Sequence, residues 1–275
     1  MKMNNNLYGI SGQLKSGKDL VSEMLMYIDS SISSDKLPLF DDFKLGSLYF
    51  SKYHIKKCAD KLKECVCLIL GCTREQLEDQ EFKSEELGPE WWVYEIKHST
   101  NGETQLFTYI GASKQTIDYG TLIKLTPRKI LQILGTQGSR MLISPIIWVN
   151  ALFSSYRPIN DKKEWELQMI YPSWIITDIR FPDNEGKAVL SRGGLMIGIK
   201  RFFRLRFPEL ANIEVKSDPY AIPKCLKDLD PELYKNLTHE SESEMGDYSW
   251  CDVVIENNGT IEDLYNNVLN AVHVF

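Results

Sequence analysis

Gly12-Gln13-Leu14-Lys15-Ser16-Gly17-Lys18-Asp19 is the stretch whose reading orders the rest of the chain. It fits the pattern G-x-x-x-x-G-K. Before it, Leu7–Ile10 reads as a short strand; after it, Val21, Met24, Leu25 and Ile28 fall three and four apart, as on one face of a helix. A strand that turns through glycines into a helix makes a phosphate cradle. The glycines let successive N–H groups point inward, and the helix start adds the positive end of its dipole. Lys18 supplies a mobile positive charge for β- and γ-phosphates. The expected ligand-binding set is therefore Gly12, Lys15, Ser16, Gly17, Lys18 and Asp19. The usual loop has Ser or Thr after the lysine, to ligate Mg²⁺. Asp19 and then Leu20 stand there instead. A carboxylate suits Mg²⁺, directly or through water, and equally suits a helix start, so both roles stay open for Asp19.

Outward from the loop, residues 55–70 show helical spacing through Ile55, Leu62, Val66 and Ile69, and the acidic run Glu75 to Glu90 reads as a solvated face. Trp91–Ile96 and Thr104–Ile110 flank Asn101-Gly102, whose tolerance of positive φ predicts a hairpin, placed as an insertion over about 91–120. Thr126-Pro127 predicts a helix start, Thr as cap and Pro in the first turn, and Ser144-Pro145 repeats that chemistry. Trp174–Thr177 predicts a strand ending at Asp178, followed by Asp183 as the cap of a helix over 184–191. Leu195–Ile199 and Asp252–Glu256 predict two more strands, and Thr260 with Asp263 predicts a capping box for the closing helix. Strand–helix alternation at both ends implies a parallel sheet with helices on both faces. The expected fold class is α/β: the three-layer sandwich of P-loop nucleotide-binding proteins. It would form one domain over 1–275, with a helical substrate-binding insertion at 55–150 and the hairpin inside it.

Composition narrows the function classes. A net charge of −6 over 275 residues argues against non-specific binding to a nucleic-acid backbone. No apolar run reaches the roughly 18 residues of a membrane span. MKMNNNLYGI does not read as a signal peptide, so a reducing, cytoplasmic compartment is expected. The six cysteines form no CxxC pair, and Cys58, Cys65, Cys67 and Cys72 fall in an apolar, helix-like stretch, where thiols act as small hydrophobes. The oligomeric state is not set, and a homodimer stays open.

Asp178 at a strand end, with Arg180 two residues on, suits a site that holds both metal and phosphate; a local ion pair is the competing reading. Arg128 and Lys129 lie in the first turn of the Thr126-Pro127 helix, with Gln132 one turn on. Cations there oppose the helix dipole, which is easier to explain if they face an anion. Lys200, Arg201, Arg204 and Arg206 cluster after the 195–199 strand, with the chemistry of a lid over a triphosphate. Phe202, Phe203 and Phe207 among them raise a nucleic-acid surface, which the acidic total puts second. His239-Glu240-Ser241-Glu242 lacks the second histidine of a metalloprotease motif and reads as a polar loop.

Taken together, Ser11–Asp19 (SGQLKSGKD), Cys58–Glu64 (CADKLKE), Thr126–Arg140 (TPRKILQILGTQGSR), Pro145–Leu152 (PIIWVNAL), Thr177–Glu185 (TDIRFPDNE), His239–Glu244 (HESESE) and Asp252–Tyr265 (DVVIENNGTIEDLY) resemble the deoxynucleoside monophosphate kinases of tailed bacteriophages. The resemblance covers the chain apart from 91–120, and Asp after the loop lysine is usual in that family. It implies transfer of the γ-phosphate of ATP, with Mg²⁺, to a deoxynucleoside 5′-monophosphate, in a host's cytoplasm if the chain is phage-encoded. Carried over by position, Lys18, Arg128, Asp178 and Arg180 would be catalytic. Asp19 and Asp178 would hold the metal, and Arg128, Lys129, Gln132, Trp148 and Arg180 the monophosphate. Arg201 and Arg204 would form the lid. The chain departs from the family at Leu20, where Thr is frequent, and at Glu185, one residue later than the usual glutamate.

Overall fold

A computed structural model describes residues 6–32, 51–97, 104–108, 121–157, 171–210, 212–213, 218–238, 242, 245 and 247–273. In chain order the elements are β1 (Leu7–Gly12), α1 (Lys18–Ile32), β2 (Tyr53–Lys56), α2 (Asp60–Leu70), α3 (Arg74–Glu78), α4 (Gln80–Ser84), β3 (Trp92–Lys97), β4 (Thr104–Thr108), β5 (Thr121–Lys124) and α5 (Pro127–Gln132). They continue with a π-helical segment (Ile133–Met141), α6 (Ile147–Phe153), β6 (Ser173–Ile179), a π-helical turn (Pro182–Gly186), α7 (Lys187–Leu190), β7 (Leu195–Lys200), α8 (Phe203–Arg206), α9 (Leu226–Leu229), α10 (Pro231–Leu237), β8 (Val253–Glu256) and α11 (Ile261–His273). The chain divides into two compact units, one of residues 1–58 with 149–275, the other of residues 59–148.

The first unit is built on a five-stranded sheet in the order β2-β6-β1-β7-β8, parallel throughout. Its central strands β1, β6 and β7 are buried on both faces, which is why they read as nearly continuous apolar runs. Alternation sorts their side chains. Tyr8, Ile10, Ile175, Ile197 and Ile199 face α1 and α11, packing on Met24, Leu25, Leu264 and Val268. Leu7, Trp174, Ile176 and Met196 face the other way, onto Val149, Leu152 and Phe153 of α6 and Val189 of α7. Helices thus cover both faces, as strand–helix alternation predicts. A satellite core of Phe203, Phe207, Leu226 and Leu237 gathers the segment between β7 and β8. From β1 the chain runs through α1 to β2 on one side of the sheet, and from β6 it crosses to β7 on the other, so the C-terminal end of β1 lies where the strand order reverses. In open parallel sheets that crevice receives ligands.

The second unit has a core of Val66, Leu77, Leu125 and Ile130, under a three-stranded antiparallel sheet in the order β4-β3-β5. The expected pairing of the 91–96 and 104–110 segments is present, from Val93 opposite Thr108 to Lys97 opposite Thr104. β5 adds a third strand beside β3 that periodicity does not announce. Asn101-Gly102 lies outside the described residues.

Three local readings are corrected. Ile55 does not open a helix: it pairs with Ile175 in β2, and α2 starts only at Asp60, since the free edge of β6 takes up residues 53–56 as a strand. The acidic side chains of the run 75–90 are solvated as expected, but the run is also structured, which that reading left out. Thr73 and Gln76 form a capping box for α3, Leu77 is fully buried, and Glu78 pairs with Lys63 and Arg74. Asp183 is not a helix cap: it sits inside the π-helical turn and pairs with Lys187, while buried Glu185 accepts the N–H groups of Arg180 and Phe181. That reach-back fixes the chain direction just after β6. The Thr126 cap and the Thr260–Asp263 capping box are as expected: Thr126 accepts the Lys129 N–H at 3.2 Å, and Asp263 accepts the Thr260 N–H at 2.8 Å. All six cysteines are free thiols. No helix among the described residues is long and apolar enough to cross a membrane.

Candidate phosphate-binding site

The loop between β1 and α1 turns through two left-handed residues, Lys15 (φ 61) and Gly17 (φ 100). Gly17 is required there twice over. Its φ is one that L-residues rarely adopt, and an added Cβ would run into the Nδ2 of Asn257. That amide is buried and donates to the Ser16 carbonyl at 2.9 Å, tying the loop to the end of β8. Further ties hold the first half of the loop. The Tyr248 hydroxyl accepts the Gln13 N–H at 3.2 Å, a Glu242 carboxylate oxygen accepts the Leu14 N–H at 2.9 Å, and Arg206 Nη1 donates to the Leu14 carbonyl at 3.4 Å. Tyr248 itself has a positive φ of 65 and lies against Gly198 of β7, where a Cβ would stand 2.9 Å from its side chain. The loop is thus shaped by side chains from the 200–257 segment before any ligand arrives. The first N–H groups of α1, from Lys18 on, have no carbonyl one turn back in the helix.

A cavity of about 420 Å³ opens on this loop, lined by residues 14–20 together with Arg201, Leu205 and Arg206. Arg206 is 2% exposed, its guanidinium beside the rings of Phe203 and Phe207. Among the described residues its Nε and Nη2, the Nε of Arg201 and the Ser16 hydroxyl have no hydrogen-bond partner. A buried guanidinium short of acceptors costs several kcal/mol unless an anion compensates it. Burial accordingly pushes the Arg206 pKa down, against the pull of nearby Tyr248 and Glu242. Lys15 pairs with Glu209 at 3.0 Å over the ring of Phe207, on the outer rim.

Lys18 folds back on its own loop, its ammonium donating to the carbonyls of Gly12 (2.6 Å) and Gln13 (3.3 Å). Burial lowers its pKa and the Arg180 cation lowers it further, while Glu242, Asp19 and Asp178 act in the opposite sense. Lys18, Asp19, Asp178 and Arg180 therefore share one electrostatic site in the first unit. Asp178 lies inside β6 rather than beyond it, and its Oδ1 accepts the Cys58 N–H at 3.0 Å. Arg180 forms an ion pair with Glu242. Asp19 is exposed in the first turn of α1, with Lys57 Nζ at 3.9 Å.

Mg²⁺ keeps most of its waters and takes one or two carboxylates plus substrate phosphates. Asp19 and Asp178 fit that demand, and no group of three or more His, Cys, Asp or Glu among the described residues makes a dedicated metal cage.

The remaining expected residues belong elsewhere. Arg204 is exposed and, among the described residues, reaches the Ile213 carbonyl at 3.5 Å, so of the expected lid pair Arg201 lines the cavity, with Arg206 as the second guanidinium. Arg128, Lys129, Gln132 and Trp148 are in the second unit. Arg128 donates to Gln80 at 2.8 Å, and Trp148 is buried, its indole N–H satisfied by the Gly135 carbonyl at 3.0 Å.

Glu242, Tyr248 and Asn257 are absent from the expected site. Glu242 had a signal, the acidic HESESE run, but a polar-loop reading conceals that its carboxylate is buried. Tyr248 and Asn257 had none, since their roles depend on a crossing of distant chain segments. No protein-family model matches the chain, and no curated protein matches it significantly.

Proposed function

We propose that the protein is a P-loop kinase that transfers the γ-phosphoryl group of ATP to a deoxynucleoside 5′-monophosphate. The observation that carries this reading is the cavity on the Gly12–Asp19 loop, where a lysine, the start of a fifteen-residue helix and a buried arginine with open nitrogens converge. Uncoiled backbone N–H groups, a point charge and a guanidinium are the three kinds of donor a polyphosphate needs. The position of the cavity, at the reversal of strand order, supports a nucleotide rather than a surface anion. The resemblance set out above narrows the acceptor to a deoxynucleoside monophosphate.

In this reading the loop N–H groups and Lys18 hold the β- and γ-phosphates. Lys18 leaves the Gly12 and Gln13 carbonyls to do so, a side-chain rotation with no change of fold. Bound Mg²⁺, held by Asp19 and Asp178, would neutralise phosphate charge. Arg180 orients the acceptor phosphate. Arg201 and Arg206 stabilise charge on the transferring group and exclude water from it. Positioning and charge neutralisation carry the rate; no protein nucleophile is needed.

The test is an ADP-release assay with ATP and Mg²⁺ against each deoxynucleoside and ribonucleoside monophosphate, with an acceptor-free control. Release that depends on a deoxynucleotide is expected, with a loss of at least about a hundredfold in Lys18→Ala. Full turnover in Lys18→Ala would refute the mechanism. ATP binding without release on any of these acceptors would leave another small-molecule P-loop kinase, such as one acting on a coenzyme precursor, or a nucleotide-binding protein, and the missing hydroxyl at Leu20 favours the second.

A further inference from the structure

Glu242 is a buried carboxylate placed between two parts of the site that are remote in sequence. Its Oε2 accepts the Leu14 N–H across 228 positions and its Oε1 pairs with the Arg180 guanidinium across 62. The Glu242 side chain is 7% exposed and that of Arg180 34%, so the carboxylate is the enclosed partner and the cation the one that reaches solvent. An ion pair enclosed in this way is a poor device for stability, because apolar packing of the same volume does as well or better. What the arrangement provides is geometry. One buried carboxylate takes up the Leu14 N–H and so fixes the curl on which the later amides depend. The same carboxylate sets the direction of Arg180. Its charge also acts on both Lys18 and Arg206, and so offsets part of the charge of each cation.

We infer that Glu242 is a positioning residue that builds the loop and the Arg180 side of the site as one piece, so that its charge governs acceptor binding and its oxygen on Leu14 governs polyphosphate binding. The acceptor half of this inference rests on the kinase reading; the polyphosphate half does not.

The two halves separate in two variants. Glu242→Gln keeps an oxygen for the Leu14 N–H but has no charge for Arg180. Glu242→Ala loses both. Tripolyphosphate affinity is measured by calorimetry, acceptor KM and kcat by ADP release, and folding by thermal melts. For Glu242→Gln the expected result is tripolyphosphate affinity unchanged or up to about tenfold tighter, since an anion has left the site. Acceptor KM should rise about tenfold, with kcat changed less. Glu242→Ala should weaken tripolyphosphate about tenfold as well. In an Arg180→Gln background Glu242→Gln should raise KM no further, because the pair is already broken.

A merely structural role would weaken tripolyphosphate equally in Gln and Ala, in step with their melting temperatures, and would overturn the inference. So would Glu242→Gln with wild-type KM. If no acceptor supports turnover in the wild type, the kinase reading fails, and the Gln-versus-Ala contrast in tripolyphosphate affinity still decides. Should Glu242→Ala not fold, Glu242→Asp, too short to span both partners, replaces it.

Discussion

Gly17→Ala tests the geometry of the loop directly. Alanine at φ 100 sits in a sparsely populated region, which costs about 1–3 kcal/mol. Its methyl would also displace the Asn257 amide, breaking the 2.9 Å bond to the Ser16 carbonyl and leaving buried polar atoms unpaired, at about 1–3 kcal/mol. The expected total is about 4 kcal/mol, a large share of the 5–15 kcal/mol typical of a domain. Asn257→Ala alone should cost only the bond, about 1–3 kcal/mol. In the double variant the methyl meets no amide and the bond is lost once rather than twice, so Asn257→Ala should be nearly free in the Gly17→Ala background. Urea unfolding of the four proteins, followed by far-UV circular dichroism at matched slopes, gives the cycle. A coupling of about 1–3 kcal/mol is expected. Costs that add to within about 0.5 kcal/mol would show that the two residues do not touch. A Gly17→Ala cost below about 1 kcal/mol would refute the left-handed conformation.

Two further predictions concern titration and reactivity. Phosphate oxygens should restore the Lys18 pKa toward its ordinary 10.5, so between the lowered value and 10.5 ADP binding takes up a proton and weakens as pH rises. In that same window the native state releases the Lys18 proton before the unfolded state does, so this residue's contribution to stability grows with pH. Calorimetry in buffers of different ionisation enthalpy measures the uptake; identical heats in all buffers, or uptake persisting in Lys18→Met, would contradict it. Among the thiols, exposed Cys225 should react first with an alkylating reagent, and Cys225→Ser should remove that fast phase. Cys251, pushed up to about 12 by burial and by Asp252, and buried Cys58 should react only on unfolding.

Legibility in the sequence followed the range of the interactions. The β1–loop–α1 unit, the Thr126 cap and the Thr260–Asp263 box are local: their hydrogen bonds close within a few residues, so residue types at fixed spacing suffice. The helical reading of 55–70 failed at its first turn because a short apolar spacing is shared by helices and buried strands, and the edge of β6 decided between them. The acidic run hid α3 and α4 because charge was read before the Thr73–Gln76 capping box. At the site, Arg204 and Arg206 are indistinguishable by type and spacing; α8 turns one toward solvent and buries the other beside two phenylalanines.

The chain's local chemistry thus determined where a phosphate-binding turn forms and which strands and helices flank it, since glycine conformations and apolar periodicity are properties of neighbouring residues. Tertiary structure alone decided what holds that turn open. Glu242, Tyr248, Asn257 and Arg206 reach residues 13–16 from 192 to 241 positions away, and only the packing of the 200–257 segment against β1 and β7 brings them there. A buried carboxylate or guanidinium is stable only beside its partner, and such partners are set by folding rather than by order along the chain.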